Sequence, residues 1–224
     1  MSEAPMKEAN ADPPGEARWP MAGAVLAAMI LILLLPKGER VGPAWLVPAI
    51  AGMLLVAVIV GDPGRIDRRS RTVRVLSIGL VAVLVLNSLW ATGQLIDALI
   101  NGGPETDSAE DLLAAGTVVW ISNCLAFALL YWELDSGGAA ARAHNMADQV
   151  DFAFPQQINP DLAPAGWHPR FVDYLYLGFT NATAFSPTDV LPLSAWAKLA
   201  MMAQSAISLT TVALVIARAV NVLS

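Results

Sequence analysis

Thr180, Thr183, Ser186, Thr188 and Asp189 bring four hydroxyls and a carboxylate together in one short stretch of the chain. Oxygen donors of this kind replace hydration water around a small cation, so the set suits a polar constriction for ions better than bond-making chemistry. The stretch interrupts two apolar segments, residues 171–185 and 193–223, and is closed by Pro192. Irregular backbone at membrane depth survives only where protein buries it or where it lines a watery cavity. A pore or a buried site is therefore expected here, with Thr180, Thr183, Ser186, Thr188 and Asp189 as the ion-pathway residues.

Other chemistry is sparse. His144 and His168 are the only histidines, and no cysteine or carboxylate stands beside them at metal-ligand spacing, so no metal site is expected. There is no Gly-rich phosphate loop, Cys–His set or nucleophile elbow. Glu133 or Asp173 with His168 is too loose a pairing for acid–base work. The expectation is a protein that is not an enzyme, with no catalytic residue and no cofactor. Within the apolar runs, Asn87 and Gln94 share a helical face and Asn123 lies mid-run, placements that suit hydrogen bonds between helices. Gln204, Ser205, Ser208, Thr210 and Thr211 in the last run read the same way. Asp173 opens the short apolar segment, where a carboxylate caps a helix. Asn181-Ala182-Thr183 matches a glycosylation acceptor, but its apolar setting argues against use.

These residues must be positioned by membrane helices. Apolar residues make up 56% of the chain and charged ones 14%, against about a quarter charged in ordinary soluble domains. Cys124 is the single cysteine, which rules out an internal disulfide. Residues 1–19 are polar and acidic and read as a disordered tail. Four spans follow, at about 21–35, 45–60, 75–100 and 112–134. The first follows acidic residues and precedes no small-residue cleavage site, so it reads as a span, not a signal peptide. Between the second and third lies a short loop with Arg65, Arg68, Arg69, Arg71 and Arg74. Such loops stay cytoplasmic, and the topogenic role is preferred over lipid-headgroup or nucleic-acid binding. The loop after the third span holds Glu105, Asp107, Glu110 and Asp111 and belongs outside. The fourth span closes with Tyr131-Trp132-Glu133, aromatics suited to a membrane interface.

A polar connector, residues 135–170, carries Pro155, Pro160, Pro164 and Pro169. Its Phe152, Phe154 and Trp167 are expected to fold back onto the bundle or the membrane surface. The chain thus divides into a tail (1–19), a four-helix membrane region (20–134), the connector (135–170) and a final module (171–224).

That module resembles the pore module of bacterial potassium channels of the two-transmembrane type. Asp189 and Pro192 keep the spacing of the channel Asp and Pro, Ser194 and Lys198 follow, and residues 206–218 correspond to the inner helix. The resemblance implies that residues 183–188 occupy filter positions. An inward ring of carbonyls there needs glycine backbone angles, and this chain has Ser186, Pro187 and Thr188, so a potassium-type filter is not expected. Over residues 117–221 the chain is also similar to an uncharacterised family of bacterial integral membrane proteins. Trp120, Asn123, Phe127-Ala128-Leu129, Asp151-Phe152, Asp173-Tyr174-Leu175-Tyr176, Phe179-Thr180, Asp189-Val190 and Ala219-Val220-Asn221 carry that resemblance, which implies a multi-pass protein of the bacterial plasma (inner) membrane.

The arginine loop gives the fourth span the opposite direction to the helix that precedes a potassium-channel pore loop. Either residues 171–185 re-enter from the cytoplasmic side, or they cross as a short fifth helix and the last helix is a sixth. The expected fold is an all-α membrane protein: a polytopic helical bundle with four spans, a short or re-entrant pore-loop-like helix and a long C-terminal helix. The expected function is a channel-like conduit for small cations, homo-oligomeric because one pore loop cannot surround a pore. A non-conducting scaffold or accessory protein is the alternative. A transporter is disfavoured by the lack of internal repeats. Its partners would be the lipid bilayer, further copies of itself and small ions, with no nucleic acid.

Overall fold

The computed structural model describes residues 15–66, 70–102, 108–143, 150–164, 166–183 and 189–223. Among them the protein is all-α apart from one short antiparallel strand pair and one isolated bridge. Helices α1 (Trp19–Leu34) and α2 (Leu46–Gly61) form a hairpin. At its turn Arg40 donates from Nε to the Leu35 carbonyl at 2.6 Å and from Nη2 to that of Leu33 at 3.0 Å, closing the open end of α1. Helix α3 (Arg71–Asn101) starts at Ser70, whose Oγ accepts from the Val73 amide. Helix α4 (Ala109–Leu134) starts at Ser108, whose Oγ accepts from the Asp111 amide, with Glu110 and Asp111 in the first turn where the helix dipole favours acids.

The connector folds as α5 (Ala139–Ala143), strand β1 (Phe152–Ala153) and α6 (Pro155–Ile158). Helix α7 (Phe171–Thr183) follows, then strand β2 (Leu191–Pro192) and helix α8 (Ala195–Leu223). β1 and β2 pair antiparallel, Phe152 with Pro192 and Ala153 with Leu191.

Three helices, α3, α4 and α8, are long and apolar enough to cross a membrane, and they mark a membrane-embedded protein. α1 and α2 have 16 residues each. That is roughly 24 Å of helix, short of a ~30 Å hydrocarbon core. Of the four spans expected before the connector, α3 and α4 are long enough to cross by themselves, and α1 and α2 are shorter apolar helices.

Helix directions follow from paired residues. Ser77 meets Glu133, Trp120 meets Ser208 and Gly116 lies against Val215, so α4 runs antiparallel to α3 and α8. Gln204 bonds Gly178 and Ser208 bonds Ala182, and these numbers rise together, so α7 runs parallel to α8. α4 is the central helix, packed against α1, α3, α7 and α8. One end of the bundle, called the base below, collects the starts of α1, α3, α7 and α8 and the ends of α2 and α4. The apolar core lies between, with Val25, Ala51, Leu80, Leu129, Phe152, Tyr174 and Leu177 almost fully buried.

The connector does fold back: Phe152 and Phe154 are buried, and Phe154 meets the rings of Trp167 and Tyr174 edge-on. The expectation of interfacial Tyr131 and Trp132 is corrected, because both are buried. Each has a polar edge that finds a partner inside the protein, which removes the reason for it to sit at a wet interface. The expected tail also ends earlier than residue 19. Gly15 to Arg18 run against the arginine loop, with Ala17 bridged to Arg65 and the Ile66 amide donating to the Glu16 carbonyl at 2.9 Å.

Candidate functional site

At the base, charged groups are buried and closely partnered. Asp135 ends α4 and is 1% exposed. Its Oδ1 accepts from the amides of Asp151 and Phe152, each at 3.2 Å, and from the Ser136 hydroxyl at 2.9 Å, while its Oδ2 accepts from the Tyr174 hydroxyl. Arg142 donates from Nη1 to the carbonyls of Trp132 (2.8 Å) and Asp135 (2.7 Å), satisfying the last turn of α4 with a cation. Its guanidinium lies 4.9 Å from the centre of the Tyr174 ring, within cation–π range. Asp151 accepts from the Ser136 amide and from Trp196 Nε1–H, which ties the connector to α8.

The N-terminal arm completes this clasp. Glu16 accepts from the Phe171 amide at 2.5 Å, capping α7, and from Trp132 Nε1–H at 2.8 Å. Arg18 pairs with Asp62 at 2.7 Å, both side chains being buried. Burial pulls the Arg18 guanidinium below its usual range, and the Asp62 and Glu133 carboxylates oppose that pull. Glu133 accepts from the Ser77 hydroxyl at 2.5 Å and faces Arg74 Nη1 at 3.7 Å. Arg74 lies across Gly138, where φ is +93° and a Cβ would stand 2.0 Å from Nη1, so only glycine fits. These groups hold the ends of α4 and α7 in place, while Arg18 Nε and Arg142 Nη2 are buried with no partner among the described residues.

The second polar region is the seam between α7 and α8. Gln204, fully buried, accepts at Oε1 from Tyr131 Oη–H (2.8 Å) and from Asn181 Nδ2–H (2.7 Å), and donates from Nε2 to the Gly178 carbonyl (2.8 Å). Ser205 donates toward the Asn181 carbonyl and Oδ1, and Ser208 donates to the Ala182 carbonyl while accepting from Trp120 Nε1–H. α7 also approaches α4 closely at Gly178, where a Cβ would stand 3.0 Å from the Cys124 carbonyl oxygen and 3.1 Å from the Ala128 Cβ.

The expected ion-pathway residues distribute unevenly. Thr180 and Thr183 sit together on the last turn of α7. Thr180 donates to the carbonyls of Tyr176 and Leu177, and Thr183 donates to that of Thr180. Asp189 is exposed and stands just before β2, hence near the base. Ser186 and Thr188 lie outside the described residues. The described members thus separate into a pair at mid-bundle and an acid near the base, and do not share one lining. Asp173 does cap: its Oδ2 accepts from the Arg170 amide at 2.7 Å. His144 lies outside the described residues, and His168 Nδ1 is 3.3 Å from the Gly166 carbonyl oxygen. Among the described residues no His, Cys, Asp and Glu side chains cluster as metal ligands.

Glu16, Arg18, Asp135 and Arg142 were not singled out by sequence reasoning. A charge just outside an apolar run is ordinary, and only its distant partners mark it as buried. No protein-family model, no curated protein and no solved structure matches the chain at a significant level.

Proposed function

We propose that the chain is a channel-like conduit for small cations, working as a homo-oligomer in a bacterial plasma membrane. The observation that carries this reading is the parallel packing of α7 against α8. α7 has 13 residues, roughly 20 Å, too short to cross. With the arginine loop cytoplasmic, the base is the cytoplasmic end, and α7 is a re-entrant half-helix entering from that side. Its C-terminal end carries the negative pole of the helix dipole to the middle of the bundle, a device by which half-helices favour cations at mid-membrane. Thr180 and Thr183 stand there, and a hydroxyl that donates to its own helix still presents lone pairs to an ion.

Several copies are needed to surround a pore. The outward faces of α8 (Leu199, Met202, Leu209, Ile216) and α7 (Val172, Tyr176, Phe179) are apolar and suit lipid or neighbouring copies. The second reading, a non-conducting scaffold, draws support from the same seam: Asn181 and Gln204 are engaged within the protomer, as befits a locked strut.

Ion flux into liposomes holding the purified protein separates the two. The conduit reading expects cation flux in the parent, reduced several-fold by Asp189→Ala and by Thr183→Val. Absence of flux for every small ion across a range of voltage and pH would leave the scaffold.

A further inference from the structure

A third set of buried polar side chains lies on α3 and α4, and several of its atoms find no partner among the described residues. The Ser77–Glu133 bond sets the register of these antiparallel helices. Ten residues on from Ser77 and ten back from Glu133 stand Asn87 and Asn123, so these two are level, and so are their neighbours Ser88 and Ser122. All four are buried, from 2% exposed at Asn123 to 7% at Ser122. Asn87 Oδ1, Ser88 Oγ, Ser122 Oγ and both terminal atoms of Asn123 have no hydrogen-bond partner among the described residues. Buried polar atoms are nearly always partnered, by protein or by bound solvent, so five orphans at one level of two packed helices call for small polar partners there.

We propose that Asn87, Ser88, Ser122 and Asn123 form a site for ordered water at the centre of the α3–α4 seam. The chemistry of the orphans selects water over a cation. A cation takes acceptors only, whereas Asn123 offers an unpartnered N–H₂ as well as a carbonyl oxygen, and the serines both give and accept. Water serves both kinds, making two to four bonds in such sites. No carboxylate among the described residues forms a ligand cluster that would offset a cation's charge, and an uncompensated charge at that depth is costly. Ala91 and Ala126, both buried, stand one turn away, so small side chains flank the polar level. The site bridges α3 and α4 and does not depend on whether α7 belongs to a conduit.

Hydroxyl-radical footprinting by X-ray radiolysis of the protein in nanodiscs tests this, because bound water generates radicals beside it. Leu84 lies one turn from Asn87 and Ser88. Leu55 of α2, buried to a similar degree in apolar surroundings, is the control. The expected result is labelling of Leu84 several-fold above Leu55, falling to the level of Leu55 in the N87L/N123L variant. Equal labelling of the two leucines in the parent would overturn the proposal, and that comparison stands even if the variant does not fold. An unfolding midpoint that rises with Na⁺ or K⁺ at constant ionic strength in the parent, and not in S88A/S122A, would also overturn it by naming a cation instead.

Discussion

The α7–α8 seam and the α3–α4 seam are both rich in Asn and Ser, and both lie against α4 at mid-bundle, yet they are built differently. In the first, Asn181, Gln204, Ser205 and Ser208 find each other or a backbone carbonyl. In the second, Asn87, Ser88, Ser122 and Asn123 leave atoms unpaired. Composition is therefore a poor guide to what an intramembrane polar residue does. In the first seam Gly178 lets α7 close onto α4, and Tyr131 of α4 and Gly178 of α7 both reach Gln204 of α8; in the second no such bond joins the polar side chains.

The contrast is exposed most strongly by Gln204→Leu. It strips partners from the Tyr131 hydroxyl and the Gly178 carbonyl, both buried, and the expected loss is about 2–4 kcal/mol in reversible unfolding from lipid bicelles. Next comes Gly178→Ala, whose added methyl would press on the Cys124 carbonyl and Ala128. Overpacking of this kind costs roughly 1–3 kcal/mol, and the same unfolding measurement reads it. The smallest effect belongs to Asn123→Leu. It removes no bond between protein groups, and exchanging bound water for a methyl-rich side chain is expected to change stability by no more than about 1 kcal/mol. Should Asn123→Leu cost as much as Gln204→Leu, the two seams are alike and the contrast fails.

Much of the helical framework was legible. The breaks expected at residues 62–74 and 101–111 and the shortness of the segment after residue 170 are local properties, and local properties are what composition and periodicity report. The cap at Asp173 was legible for the same reason. Partnership across the bundle was not. Asn181 and Asn123 look alike in sequence, and only the register between helices separates the satisfied one from the unsatisfied one. Tyr131 and Trp132 were expected at an interface because their polar edges usually seek water, but Gln204 and Glu16 supply that polarity from inside. Glu16 itself sits among acidic residues that resemble a solvated tail. Of the candidate pathway residues, Thr180 and Thr183 share a helical turn as their spacing requires, whereas the position of Asp189 depends on β2, a pairing with a strand some forty residues earlier.

The Glu16–Phe171 bond joins residues 155 positions apart, and this has a consequence for how the molecule is assembled during synthesis. The arm and the arginine loop are made early and can pair at once, since only about fifty residues separate them. On that order the carboxylate of Glu16 is expected to stand at the base, beside the end of α4, before α7 is made. The first turn of α7 is therefore expected to acquire its cap from an arm already in place, 155 positions earlier in the chain.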